Sequence, residues 1–202
     1  GLTQFNERSE IVPRLAESWE ITADGLVYTF RLRQDVRWHD GAPFTAADVL
    51  YTAGVMSDPD FQALDASGLF DMWDDIKIEQ VGDYTVKFTL PEPYAPFLDF
   101  TTVGMLPAHL LSKLQPRELP QAQFNAQPVG VGPFVVSSVN AQQIVLKANT
   151  DYYLARPRLD TVIFRFYADA ESLLAAYHKG EIDGISQVTP GLLPRLRSEN
   201  GL

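Results

Sequence analysis

Residues 26–33 alternate side chains so regularly that a half-buried strand is the conformation that accommodates them. Leu26, Tyr28, Phe30 and Leu32 fall on one face, and Val27, Thr29, Arg31 and Arg33 on the other. A repeat of two is the period of extended chain. Ala23-Asp24-Gly25 supplies a turn in which Gly25 can take positive φ, which makes Ser18-Trp19-Glu20-Ile21 the partner strand. Asp40-Gly41 marks a second turn. Thr45 then precedes Asp48 by the spacing of a capping box, in which two orphan donors at a helix start are satisfied reciprocally. The helix predicted from there buries Val49, Leu50, Ala53 and Met56 and stops at Asp58-Pro59.

A second hairpin follows. Ile76 and Ile78 lead to a turn at Gly82-Asp83, and Tyr84, Val86, Phe88 and Leu90 return along one face. Pro91 and Pro93 end that strand, and Tyr94-Ala95-Pro96-Phe97 starts a short helix. Between the hairpins, residues 60–75 read as an irregular loop bearing Phe61, Phe70 and Trp73, and loops of this length commonly have a functional reason. Residues 115–127 are polar and proline-bearing, a surface excursion. Residues 134–139 and 143–148 form a third hairpin, 159–167 an apolar strand, and Asp169 caps a helix that ends at Gly180. With Ile182 to Ile185 as a last strand, this end predicts a β-α-β unit with a parallel pair. The fold class is mixed α/β.

Composition narrows the function. A chain of 202 residues with 46% hydrophobic and 21% charged side chains is long and apolar enough to bury a substantial core. Its net charge of −10 disfavours nucleic acid and anionic lipid as partners, since both demand a basic footprint. The acidity mildly favours cationic solutes, although an acidic solvated surface is the simpler reading. With no cysteine there are no disulfides or thiolate metal sites. No apolar run reaches the length of about 18 residues that spans a bilayer, and Gly1-Leu2-Thr3-Gln4 does not read as a signal peptide.

Catalytic patterns are weak. His39-Asp40 invites a metal or acid–base reading, but neighbours in a strand point to opposite faces and a turn explains the dipeptide. Neither His109 nor His178 completes a ligand spacing, so neither a metal nor a cofactor is expected. Gly130-Val131-Gly132 is followed by Pro133-Phe134 and a β-rich run rather than by the helix N-terminus a phosphate cradle needs, so its glycines serve backbone geometry. Among the carboxylates, Asp74, Asp75 and Glu79 included, pairing two as a hydrolase couple would be arbitrary. Trp19 and Trp38 read as packing residues.

Four blocks, taken together, resemble the family 5 extracellular solute-binding proteins, the peptide and nickel receptors of ABC importers. They are residues 13–49; residues 84–90 with Pro93-Tyr94-Ala95-Pro96-Phe97-Leu98; Pro128 to Phe134; and Asn149-Thr150-Asp151-Tyr152-Tyr153 with residues 156–160 and 177–183. Their order is the family's. The resemblance implies part of a type II periplasmic-binding-protein-like fold: the first lobe with its inserted subdomain, the second lobe absent, so that the chain is an internal piece of a longer receptor. It divides the chain into an inserted hairpin and helix subdomain, 1–100, and an incomplete lobe 1 sheet region, 101–202.

By position, the same resemblance puts two stretches at the ligand cleft. These are residues 64–70, with Leu64 and Phe70, and residues 100–105, with Phe100, Thr101, Thr102, Val103 and Gly104. It implies a non-enzyme that captures a solute, a peptide in the first instance, by closing two lobes, and passes it to a membrane-embedded ABC permease. It places the protein in the periplasm or outside the cell, with any membrane anchor before Gly1. Nickel members hold the metal through a chelator, so a metal complex remains open as ligand. The rival readings are a carbohydrate hydrolase using paired carboxylates and a stand-alone sensing domain that reuses the fold.

Overall fold

The computed structural model describes residues 1–64, 70–193 and 196. Its centre is a four-stranded antiparallel sheet. Strand β3 (Ala16–Ile21) pairs with β4 (Val27–Leu32), β4 with β6 (Thr85–Thr89), and β6 with β5 (Lys77–Gly82). Before it, β1 (Thr3–Phe5) and β2 (Ile11–Pro13) form a separate two-stranded ribbon. The alternation sets the register: Tyr28 lies opposite Phe88 and Phe30 opposite Val86, so the apolar sides of both hairpins share one face. Tyr28, Phe30, Val86 and Phe88 are buried and Tyr84 is half-buried. Gly25 has φ +73°, and the Asp24 carboxylate accepts from Leu26 N–H, closing the turn as its residues require. The second turn falls at Asp83-Tyr84, one residue later than expected, because a register shift between Gln80 and Gly82 takes up the difference.

Helix α1 (Ala46–Met56) covers the apolar face, burying Val49, Ala53 and Met56. Asp48 does more than cap it. Its carboxylate, 3% exposed, accepts from Thr45 N–H at 2.9 Å, from Trp38 Nε1–H at 3.3 Å and from Ala108 N–H at 2.9 Å. Asp58-Pro59 both stops α1 and opens α2 (Pro59–Gln62): Asp58 Oδ1 accepts from Asp60 and Phe61 N–H, and proline sits in the first turn where its missing donor costs nothing. The loop expected between the hairpins is therefore partly helical, with a 3₁₀ turn at Asp71–Trp73 as well.

Helices α3 (Phe97–Phe100) and α4 (Ala108–Leu111) follow, then two 3₁₀ turns at Pro116–Gln121 and Gln123–Ala126. The last sheet is β7 (Phe134–Val139), β8 (Gln143–Ala148) and β9 (Thr161–Arg165), all antiparallel. The chain returns to the first sheet through Tyr152 and Tyr153. The Arg14 guanidinium donates to the Tyr152 hydroxyl, and Arg33 lies 5.2 Å from the centre of the Tyr153 ring.

The β-α-β unit with a parallel pair does not form among the described residues. Helix α5 (Ala170–His178) is capped by Asp169, which accepts from Ser172 N–H at 2.8 Å. It ends on Gly180 at φ +69°, with Gly180 N–H bound to Tyr177 O and Glu181 N–H to Ala176 O. That paired closure folds the chain back on the helix, and residues 182–185, with Asp183-Gly184 of poor strand propensity, run on as bends without a ladder partner.

Candidate functional site

The residues after β6 are held in place from two sides. On one, Thr3 Oγ1 donates to Leu98 O at 3.0 Å and shares a 2.7 Å hydrogen bond with Thr101 Oγ1, while Leu2 N–H donates to Thr101 O. On the other, Thr52 of α1 accepts from Leu106 N–H at 2.9 Å and Asp48 from Ala108 N–H. Phe97 anchors the segment below: it is wholly buried, its ring 4.6 Å from Tyr28 and 5.6 Å from Phe88. Residues 98–105 are thus a short strap of fixed geometry. Asp99 is exposed on it and Phe100 half-buried.

Facing the strap is the 3₁₀ turn Asp71–Trp73 with Phe70 before it. Ser57 Oγ donates to Trp73 O at 3.0 Å, and the Gln62 side-chain amide donates to Met56 O at 3.0 Å and to Asp74 Oδ1 at 2.5 Å. The Trp73 ring packs against Phe88 and Phe97, with centroids 6.3 and 6.5 Å away, and Phe70 against Phe61 at 5.6 Å. Strap and turn enclose an open, largely apolar cleft of about 340 Å³, lined by Phe70, Trp73, Asp99, Phe100, Thr102 and Val103. That size lies at the small end of organic-ligand sites, and three rings with few polar groups is the composition such sites have.

Of the residues expected at a cleft, Phe70, Phe100, Thr102 and Val103 are brought together here. Leu64 is 57% exposed and Gly104 exposed, and neither lines this cleft. Thr101 is 1% exposed, turned inward to Thr3 and Leu98 as part of what holds the strap. Residues 65–69 lie outside the described residues. Asp99, which adjoins the Pro93 to Leu98 block, and Trp73, an aromatic of the irregular loop, also line the cleft although no motif marks either. Three aromatics in one irregular stretch were the available signal.

His39 and His109 are engaged within the fold. His39 and Asp40 sit in the turn closed by Gly41 N–H to Trp38 O, and their side chains make separate contacts. His39 Nδ1 accepts from Gly130 N–H at 3.1 Å, and its Nε2 lies 3.0 Å from Gly132 O, which fixes the tautomer with the proton on Nε2. A Cβ on Gly130 would lie 3.3 Å from the His39 ring, a tight contact that the ring would have to relieve by shifting. Asp40 instead meets His109 at 2.7 Å. Burial works against ionisation of Asp40, yet the bonds from His109 and Ala42 N–H outweigh it and hold the carboxyl below its usual range. Among the described residues no cluster of three His, Asp or Glu side chains could hold a metal ion, and no helix is long and apolar enough to cross a membrane.

A mixed α/β scaffold with a rigid aromatic wall, open on one side, has the build of a solute-binding protein. Residues 10–202 match the family described as bacterial extracellular solute-binding proteins, family 5 Middle, and the chain belongs to that family. It is 35% identical to Di/tripeptide-binding protein 4 of Pseudomonas aeruginosa, over 96% of this chain and 40% of that protein. Among solved structures it is similar to NikZ of Campylobacter jejuni in complex with Ni(L-His), with a TM-score of 0.86 and 34% identity over 99% of this chain and 39% of that one. It is also similar to the oligopeptide-binding protein AppA of Bacillus subtilis in complex with a nonapeptide, with a TM-score of 0.82 and 32% identity over 90% and 36% of the two chains. These relatives are binding proteins, and the chain spans roughly a third of the length of the curated relatives it matches.

Proposed function

We propose that this chain supplies one wall of the solute cleft in a receptor that delivers peptides to an ABC importer, outside the cytoplasm. The observation that carries the reading is the cleft itself: Phe70, Trp73, Phe100 and Val103 give apolar surface, while Thr102 and Asp99 give polar groups at its rim. The names of the relatives support peptides as the solute class. In this reading residues 1–100 are the inserted subdomain and 101–202 the lobe 1 sheet region, and a facing lobe closes over the bound solute. The ligand is desolvated by closure and leaves chemically unchanged; one carboxylate in the lining, rather than an acid–base pair, fits binding better than hydrolysis.

Titration of the isotope-labelled chain with an uncharged tripeptide, followed by NMR, tests the reading. The backbone signals of Phe100, Thr102 and Val103 are expected to shift in a saturable way. Shifts confined to other regions, or none at all, would overturn it.

A further inference from the structure

We infer that this cleft selects cationic solutes, and that its occupant is a peptide carrying an arginine or lysine side chain. The inference rests on the solute-capture reading above and adds a charge preference to it. Both segments that form the cleft are acidic. Residues 57–76 contain aspartates, Asp71, Asp74 and Asp75 among them, and no lysine, arginine or histidine. Residues 88–103 contain Glu92 and Asp99 and no basic residue. At the lip, Asp99 commits its backbone carbonyl to Thr102 Oγ1 at 2.6 Å, while its carboxylate makes no ion pair among the described residues.

The rings add a second requirement. Phe70 and Phe100, both half-buried, offer apolar aromatic surface beside that carboxylate, and Trp73, only 3% exposed, closes the cleft beneath them. A guanidinium or ammonium on an alkyl stem answers both, the stem lying on the rings and the charge reaching Asp99. In a concave cleft the field of the Asp99 carboxylate is screened less than on a flat surface and raises the local concentration of cations. An acidic side chain meets like charge there and loses hydration without a partner.

Three tripeptides of similar size decide the matter: Ala-Arg-Ala, Ala-citrulline-Ala and Ala-Glu-Ala, each titrated by NMR into the labelled chain. The arginine peptide is expected to bind about fivefold tighter than its neutral citrulline counterpart at low salt. The glutamate peptide should bind weakest, and the arginine advantage should shrink as salt is raised. Asp99→Asn is expected to abolish the difference between the arginine and citrulline peptides, and Asp99→Glu to retain it. Equal binding of the arginine and citrulline peptides at the cleft would overturn the charge preference and leave solute capture standing. An Asp99→Asn protein that keeps the full preference would also overturn it. If no peptide moves the cleft signals, both readings fall together.

Discussion

Asp48 Oδ1 accepts the backbone N–H of Ala108 at 2.9 Å, across 60 residues of sequence. The same carboxylate caps the helix that covers the first sheet and takes the indole N–H of Trp38. One buried side chain thereby ties the hairpin region, helix α1 and the end of the cleft strap into a single unit. It does so as an acceptor of three N–H groups, with no ion pair among the described residues, a use of a buried carboxylate that depends on every donor being present.

Removing that acceptor strands all three donors. Asp48→Ala is expected to destabilise the fold by about 3 kcal/mol, at the upper end of the cost of unsatisfied buried groups. Asp48→Asn, which keeps one oxygen but aims an amide at a facing donor, should cost about 2 kcal/mol. Urea denaturation measures both, and a midpoint within error of the parent for Asp48→Ala would show that water replaces the carboxylate.

How far the sequence carried these conclusions depended on the range of the interactions. The alternation in 26–33 and 84–90 specified strands, burial and face, because a period of two leaves little choice once one side is apolar. Asp48, Asp58, Asp169 and Gly180 each announced a helix end, since caps are local chemistry. The pairing of β9 was not legible: its apolar run fits a parallel or an antiparallel neighbour equally, and the expected partner at 182–185 instead follows the closure of α5. The cleft was half legible. Phe70, Phe100, Thr102 and Val103 came from family position, but the inward turn of Thr101 depends on Thr3, a contact across 98 residues. Asp99 gave no signal of its own, because only the fold brings it to the cleft beside Trp73 and Phe70.

In acid, the Asp40–His109 pair sets a testable slope. The folded Asp40 carboxyl lies below its ordinary range, so ionised Asp40 stabilises the fold above the unfolded carboxyl value of about 3.9, and this contribution is lost as pH falls through the lower folded value. Both side chains are about one-third exposed, which limits the effect to less than about 1 kcal/mol. Asp40→Asn should therefore lie slightly below the parent in stability at neutral pH and converge with it in strong acid. A constant difference at every pH would assign the loss to packing.

Alkali tests the other end of the molecule. Burial pushes the Tyr153 hydroxyl up to about 12, against the opposing pull of Arg14. A group raised in this way contributes stability that is complete below the unfolded tyrosine value of about 10 and disappears as pH rises through the folded one. Tyr153→Phe is expected to flatten the fall in thermal stability across that window. Ultraviolet titration of the parent should find one tyrosine ionising well after those of the unfolded chain, and its absence would show that Tyr153 is solvated.

The affinity of the 202-residue chain follows from the geometry of its cleft. A receptor site buries most of its ligand, and closure is what desolvates the polar contacts. Here the turn at 70–73 and the strap at 99–103 leave a cleft open on one side, so a peptide lying in it gains roughly half of the contacts it would have between two walls. If half of a micromolar binding energy of about −8 kcal/mol is available, about −4 kcal/mol remains, which corresponds to a millimolar Kd. Phe100→Ala should weaken this further, because it removes a ring from the lining. Calorimetry with a mixed peptide library is expected to give little heat at micromolar concentration. Saturable binding tighter than about 10 μM would mean that the one wall holds its peptide as firmly as a closed site does, and would remove closure from the mechanism of capture.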